Sequence, residues 1–165
     1  MTDAASRIEQ LTASVGPDVL AYLARRVSPI DDAADLYVDV LMITWRKYRS
    51  VPSDERAARA WMLGVARRCL ANHRRSATRR HVLADRLRAE LPRMVDTPDP
   101  DLTDRAEQLL DRLSTADREL VTLIYWEQLT SAEAAQVLRI SPGAARKRLE
   151  RVRATLRAEL AQVLD

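Results

Sequence analysis

Thr130 and Ser141 each carry the signature of a helix start, and only eleven positions separate them. Thr130 with Glu133 is a T-x-x-E capping box, in which the threonine side chain accepts from the Glu133 amide and the glutamate reaches back to the Thr130 amide. Ser141 followed by Pro142 is a second start, with serine capping the first turn and proline standing where a helix has no use for an N–H. The first helix must therefore finish near Leu138, and "RISPG" must turn the chain within a few residues. In the helix that follows, Ala145, Leu149, Val152, Leu156 and Leu160 recur at steps of four and three, one continuous apolar stripe for a core. The remaining surface is cationic. Arg146, Lys147, Arg148, Arg151 and Arg153 crowd the first turns, where positive charge opposes the helix dipole, so helix stability does not account for them. A phosphate-rich partner does. A short helix, a tight turn and a basic second helix make the helix-turn-helix arrangement, whose second helix enters a DNA major groove. An ordinary helical hairpin with a solvated arginine face is the competing reading at this point.

The rest of the chain is equally helical in character. Its 165 residues include three glycines and seven prolines, without a sustained alternating run of β-branched residues, so the expected fold class is all-α. Between Met94 and Asp104, "MVDTPDPDLTD" holds two prolines, four aspartates and no basic residue, which disfavours helix and favours a solvated tether. Two small helical domains follow, residues 1–81 and 103–165, joined by a flexible linker over 82–102 in which "VLADRLRAELPR" can form a short helix. In the second, Leu109, Leu110 and Leu113, then Leu120, Val121 and Ile124, lie at helical spacing on either side of a cap at Ser114 or Thr115. About four helices are expected there.

Within the first domain the charge is sorted by position. "DDAADLYVDVLMITWRKY" places Ala33, Leu36, Tyr37, Val40, Leu41, Thr44, Trp45 and Tyr48 at the spacing of one buried helix face. Asp32, Asp35 and Asp39 fall on another face near the helix N-terminus, where the dipole favours negative charge. They are either simple helix-start acids or a docking strip for a basic partner. From Trp61 to His81 the balance reverses, with six arginines and no acid. Met62, Ala66, Cys69 and Leu70 share one side of that segment; Trp61, Gly64, Arg68, Asn72 and Arg75 share another. An aromatic ring that stacks on an unpaired base, beside arginines that hold the backbone, is the usual apparatus for single-stranded nucleic acid. Trp61 as a core anchor is the alternative.

Several function classes lose support. Cys69 is the single cysteine and there are two histidines, so no disulfide, no cysteine-only zinc site and no usual metal cage is expected. A reducing, cytoplasmic setting follows as the expectation. No apolar run approaches the roughly 20 residues that span a bilayer, and "MTDAASRIEQ" lacks a signal pattern, so no membrane insertion is expected. Net charge is only +3, so any polyanion-binding surface must arise from segregation of charge. No glycine-rich phosphate loop and no nucleophile with its base is present, so catalytic residues and cofactors are expected to be none.

The motifs resemble those of bacterial RNA polymerase sigma factors of the extracytoplasmic-function group. "DDAADLYVDVLMITWRKY" is similar to the family's polymerase-binding helix, A-x-D-L-x-Q-E-x-F, and "WMLGVARRCLANHRR" to W-L-x-x-I-A-R-N-x-x-x-D-x-x-R. "LSTADRELVTLIYWEQLTSAEAAQVLRISPGAARKRLERVRATLR" resembles region 4 with its E-I-A and G-T-V-K-S-R-L pieces. Val38 stands where the family has glutamine, Arg68 for asparagine, Asn72 for aspartate, and Ala144 and Lys147 for threonine and serine. The resemblance implies a transcription initiation factor, not an enzyme, whose partners are core RNA polymerase, promoter DNA and an anti-sigma protein. By the same resemblance Arg146, Lys147, Arg148 and Arg151 contact a minus-35 duplex. Trp61, Arg68, Asn72 and Arg75, with the base-capturing loop "SVPSDERA", hold a melted minus-10 strand, and Asp32, Asp35 and Asp39 meet polymerase. A polymerase-independent helix-turn-helix regulator, which would dimerise on half-sites, and a protein-binding adaptor are the readings from other classes.

Overall fold

The computed structural model describes residues 2–88 and 110–164, with side-chain surroundings over 5–76 and 110–158. The fold is all-α, with seven α-helices and no strand among the described residues. These are α1 (Thr2–Ser14), α2 (Gly16–Ala24), α3 (Asp31–Arg46), α4 (Glu55–Arg88), α5 (Thr115–Tyr125), α6 (Ser131–Leu138) and α7 (Pro142–Leu164). The chain divides into two compact units, Met1–Ala89 and Glu90–Asp165. Helix α4 runs through His81 to Arg88, so residues 82–88 continue it, while the aspartate- and proline-rich stretch falls outside the described residues.

In the first unit α1 and α2 break at Val15, where Gly16 and Pro17 restart the helix. A Cβ on Gly16 would stand 2.2 Å from the Tyr37 hydroxyl oxygen, so glycine lets the start of α2 close on α3. The peptide bond between Ser28 and Pro29 is cis. The core joins Leu11, Val19, Tyr22 and Leu23 from the first two helices to Ala33, Leu36 and Val40 from α3 and Met62, Leu63, Val65, Ala66 and Leu70 from α4. Each large apolar side chain buried in this way contributes about 1.5–3 kcal/mol. Arg59 on α4 reaches Asp18 on α2 at 2.5 Å. The loop before α4 is held where it runs into the helix. Arg7 Nη2 donates to the carbonyls of Pro52 at 3.1 Å and Ser53 at 2.7 Å, and Asp54 Oδ2 accepts from the Ala57 amide at 2.8 Å.

One expectation for α3 needs correction. Ala33, Leu36, Val40 and Thr44 are buried as the spacing predicts, but Trp45 is 52% exposed. At about 100° per residue Trp45 lies roughly 120° from the line through Ala33, beyond the arc a neighbouring helix can cover.

The second unit is built around its two capped starts. The capping box at Thr130 is complete, with the Glu133 amide donating to Thr130 Oγ1 at 3.2 Å and Glu133 Oε2 accepting from the Thr130 amide at 2.7 Å. Ser141 Oγ accepts from the Ala144 amide at 3.1 Å. Ala134, Ala135 and Ala145 are buried where α6 meets α7, and Leu120, Leu123, Leu149 and Val152 complete the core. Small residues there let the two helices approach closely. The turn closes through Arg139, whose φ of 57° and ψ of 44° are left-handed, with the Ile140 amide donating to the Ala135 carbonyl at 3.0 Å. A left-handed non-glycine residue is strained by about 1–2 kcal/mol. Arg139→Gly is therefore expected to stabilise this unit by about 1 kcal/mol in thermal melts, net of the added chain entropy; an unchanged or lower midpoint contradicts the strain assignment.

Candidate nucleic-acid and protein interfaces

The basic face of α7 lies on the outside of its unit. Ala145, Leu149 and Val152 point inward, whereas Arg146, Lys147, Arg151 and Arg153 are exposed. Arg153 Nε donates to the Tyr125 hydroxyl at 3.0 Å. Arg148 is half-buried: its Nε stands 3.4 Å from Asp117 Oδ1, and Arg151 Nη2 lies 3.5 Å from the same oxygen. The four sequence-derived positions thus split into Arg146 and Lys147, both exposed, and two that lean on an acid of α5, half-buried Arg148 and exposed Arg151. That acid has no signal in the periodicity, because its partners are more than thirty positions away.

Along α4, Met62, Ala66, Cys69 and Leu70 are buried as grouped from the sequence. Trp61 and Arg68 are half-buried and Asn72 and Arg75 exposed, with Arg75 Nη2 donating to Asn72 Oδ1 at 2.6 Å. Gly64, placed by projection on the same side, is buried. A cleft of about 470 Å³ opens between α3 and α4, lined by Asp39, Met42, Arg46, Cys69, Asn72 and His73 among others. Burial pushes the Cys69 thiol pKa up, and the Asp39 carboxylate adds to the shift, so the thiol is a core group and a poor nucleophile.

The acids of α3 do not form one uniform strip. Asp35 and Asp39 are exposed, but Asp32 is half-buried, its Oδ2 3.2 Å from His73 Nε2 on α4. Between and beside the exposed acids stand Val38 at 56%, Met42 at 57% and Trp45 at 52% exposure. On a helix these residues, with Asp31, occupy one outward arc of about 120°, from Trp45 to Asp39. The mixed acidic and apolar character of that arc is the part of the surface that core-face periodicity alone does not report. Contiguous exposed apolar residues rimmed by charge mark a protein-binding surface. Among the described residues no group of histidine, cysteine or acidic side chains could hold a metal ion, and no helix is long and apolar enough to cross a membrane.

Together these features define an all-α, two-unit helix-turn-helix protein whose α3 carries an outward face of mixed acidic and apolar character. Sigma-70 region 2 matches residues 11–80, and Sigma-70, region 4, matches residues 103–156. The RNA polymerase sigma-E factor of Streptomyces avermitilis is 33% identical over 153 residues, covering 87% of this chain and 79% of that protein. The ECF RNA polymerase sigma factor SigL of Mycobacterium tuberculosis is 27% identical over 151 residues, with 86% and 82% covered. Among solved structures, the sigma factor RpoE in complex with the anti-sigma factor NepR, from Bartonella quintana, superposes with a TM-score of 0.65 at 26% identity over 93% of this chain and 96% of that one. CnrH in complex with the cytosolic domain of CnrY gives 0.61 at 27% identity, over 98% and 94%. The chain belongs to the sigma-70 family, in its extracytoplasmic-function group.

Proposed function

We propose that this chain binds core RNA polymerase and directs it to a specific set of promoters in the cytoplasm, supplying the address while polymerase supplies the chemistry. In this reading α7 enters the major groove of a minus-35 element, with Arg146, Lys147 and Arg151 outward and half-buried Arg148 beside Asp117. Trp61, Arg68, Asn72, Arg75 and the loop before α4 hold the melted minus-10 strand, and stacking returns about 1–3 kcal/mol per captured base, which offsets the work of unstacking. The outward arc of α3 docks on polymerase through Asp35 and Asp39 together with Val38, Met42 and Trp45; Asp32 braces α3 against His73. An anti-sigma protein is the remaining partner, by likeness to relatives solved with one. No cofactor enters this scheme.

The observation that carries the reading is the order of surfaces along a chain of this family: acids and apolar residues outward on α3, cations outward on α7. The test is in vitro transcription with core polymerase and a genomic promoter library. A defined set of start sites dependent on the chain is expected. Replacing Arg146 and Lys147 with alanine is expected to lower initiation at promoters with an upstream element about tenfold or more, through lost phosphate and base contacts, with core-polymerase recovery unchanged. Specific duplex binding by a dimer without polymerase would favour the polymerase-independent regulator instead.

A further inference from the structure

Asp117 lies outside every contact set considered so far, yet it touches two members of one of them. Ser114 Oγ donates to Asp117 Oδ2 at 2.8 Å and accepts from the Asp117 amide at 3.2 Å, so the first turn of α5 holds this carboxylate. Its second oxygen, Oδ1, stands 3.4 Å from Arg148 Nε and 3.5 Å from Arg151 Nη2. The acid is 15% exposed, Arg148 30% and Arg151 68%. One oxygen is thus pinned by a helix start, and the other faces two guanidinium groups about one turn apart on α7.

We propose that Asp117 is a specificity-determining positioning residue, which aligns Arg148 and Arg151 for base edges and withholds part of their charge from phosphates. The proposal rests on the reading of α7 as the helix that enters promoter DNA. Phosphate contacts depend on charge and carry no sequence information, whereas base contacts depend on where a guanidinium is aimed. A carboxylate beside two arginines weakens the first kind of contact everywhere. It strengthens the second kind, because a side chain already oriented loses less freedom on binding. Both separations are longer than a tight N–H···O bond, so a guanine edge can take over from the carboxylate when the correct site arrives. Removing the acid should therefore make the protein bind more DNA and choose less well among it.

The experiment uses the full-length chain assembled with core polymerase. The probes are a promoter duplex recovered from the transcription library and a duplex of equal length with only its upstream element scrambled, compared across a range of KCl concentrations. For Asp117→Asn, the preference for the intact element is expected to fall about tenfold, the scale of one lost bidentate base contact. The log–log salt slope on the scrambled duplex is expected to steepen by about one. Asp117→Glu, which keeps the charge, should restore most of the preference. Asp117→Ser keeps a hydroxyl in place of the carboxylate and must behave as Asp117→Asn does, which separates charge from loss of the helix start and decides the matter if the asparagine variant folds poorly. Wild-type preference and slope in both neutral variants would overturn the proposal and leave the polymerase-addressing reading standing. Absence of any preference in the wild-type assembly would overturn both.

Discussion

Replacing Asp35 and Asp39 together with lysine is expected to reduce recovery of core polymerase about 100-fold at physiological salt while the chain stays folded. Both carboxylates are exposed on α3, and neither takes part in the burial of Ala33, Leu36 and Val40, so the change leaves the core alone. Charge reversal does more than delete an attraction: each lysine adds like-charge repulsion against a basic partner, and two such changes amount to about 3 kcal/mol in close contact. The apolar members of the arc behave differently. Met42→Ser and Trp45→Ser remove desolvated contact area, so their losses should persist as salt is raised, whereas the effect of charge reversal should shrink as screening grows. Pull-down with core polymerase at low and high salt separates the two. Wild-type recovery by the double lysine variant in moderate salt would show that polymerase docks elsewhere.

Leu63→Ala is expected to destabilise the first unit by about 2–5 kcal/mol, the range for a leucine removed from a packed core. Leu63 has no exposed surface, and its neighbours along α4, Met62, Val65 and Ala66, are also fully enclosed, so the site has little freedom to collapse. Cys69 provides an internal reporter. It is the chain's single cysteine, buried in the same helix, and burial pushes its thiol pKa up, so little of it is thiolate in the folded state near neutral pH. With a reagent too bulky to enter the cleft that Cys69 lines, only opening exposes the thiol and returns it to its ordinary value, so the alkylation rate follows the open population. A loss of 2 kcal/mol raises that population about 30-fold, and the rate should rise at least as much. An alkylation rate equal to wild type would mean that Leu63 is not part of a cooperative core with Cys69.

Much of this architecture is legible from residue order because its signals are local. The capping box at Thr130 and the Ser141–Pro142 start need only three or four residues each, and both appear with the hydrogen bonds their chemistry calls for. Gly16–Pro17 is a signal of the same kind and marks the break between α1 and α2. Heptad-like spacing likewise places Leu149 and Val152 inside. Spacing fails at Trp45 because periodicity gives the direction of a face but not its width, which depends on how far α2 and α4 wrap around α3. It is silent on Arg148 and Arg151 for a different reason: their acid comes from another helix, and pairing across helices leaves no period in the sequence. The same holds for Asp32, read as outward from its own helix but met there by His73 from α4.

The grip of Arg7 on the carbonyls of Pro52 and Ser53 spans forty-five and forty-six positions. The region 2 match begins at residue 11, four positions after that arginine. A fragment trimmed to the boundaries of the homology would therefore retain α2, α3 and most of α4, and would discard the clasp on the loop before α4, which we propose holds the melted strand. If that loop does hold an unwound strand, the truncated protein is expected to handle it poorly, and the borders of shared ancestry and of a working module would then differ by one side chain.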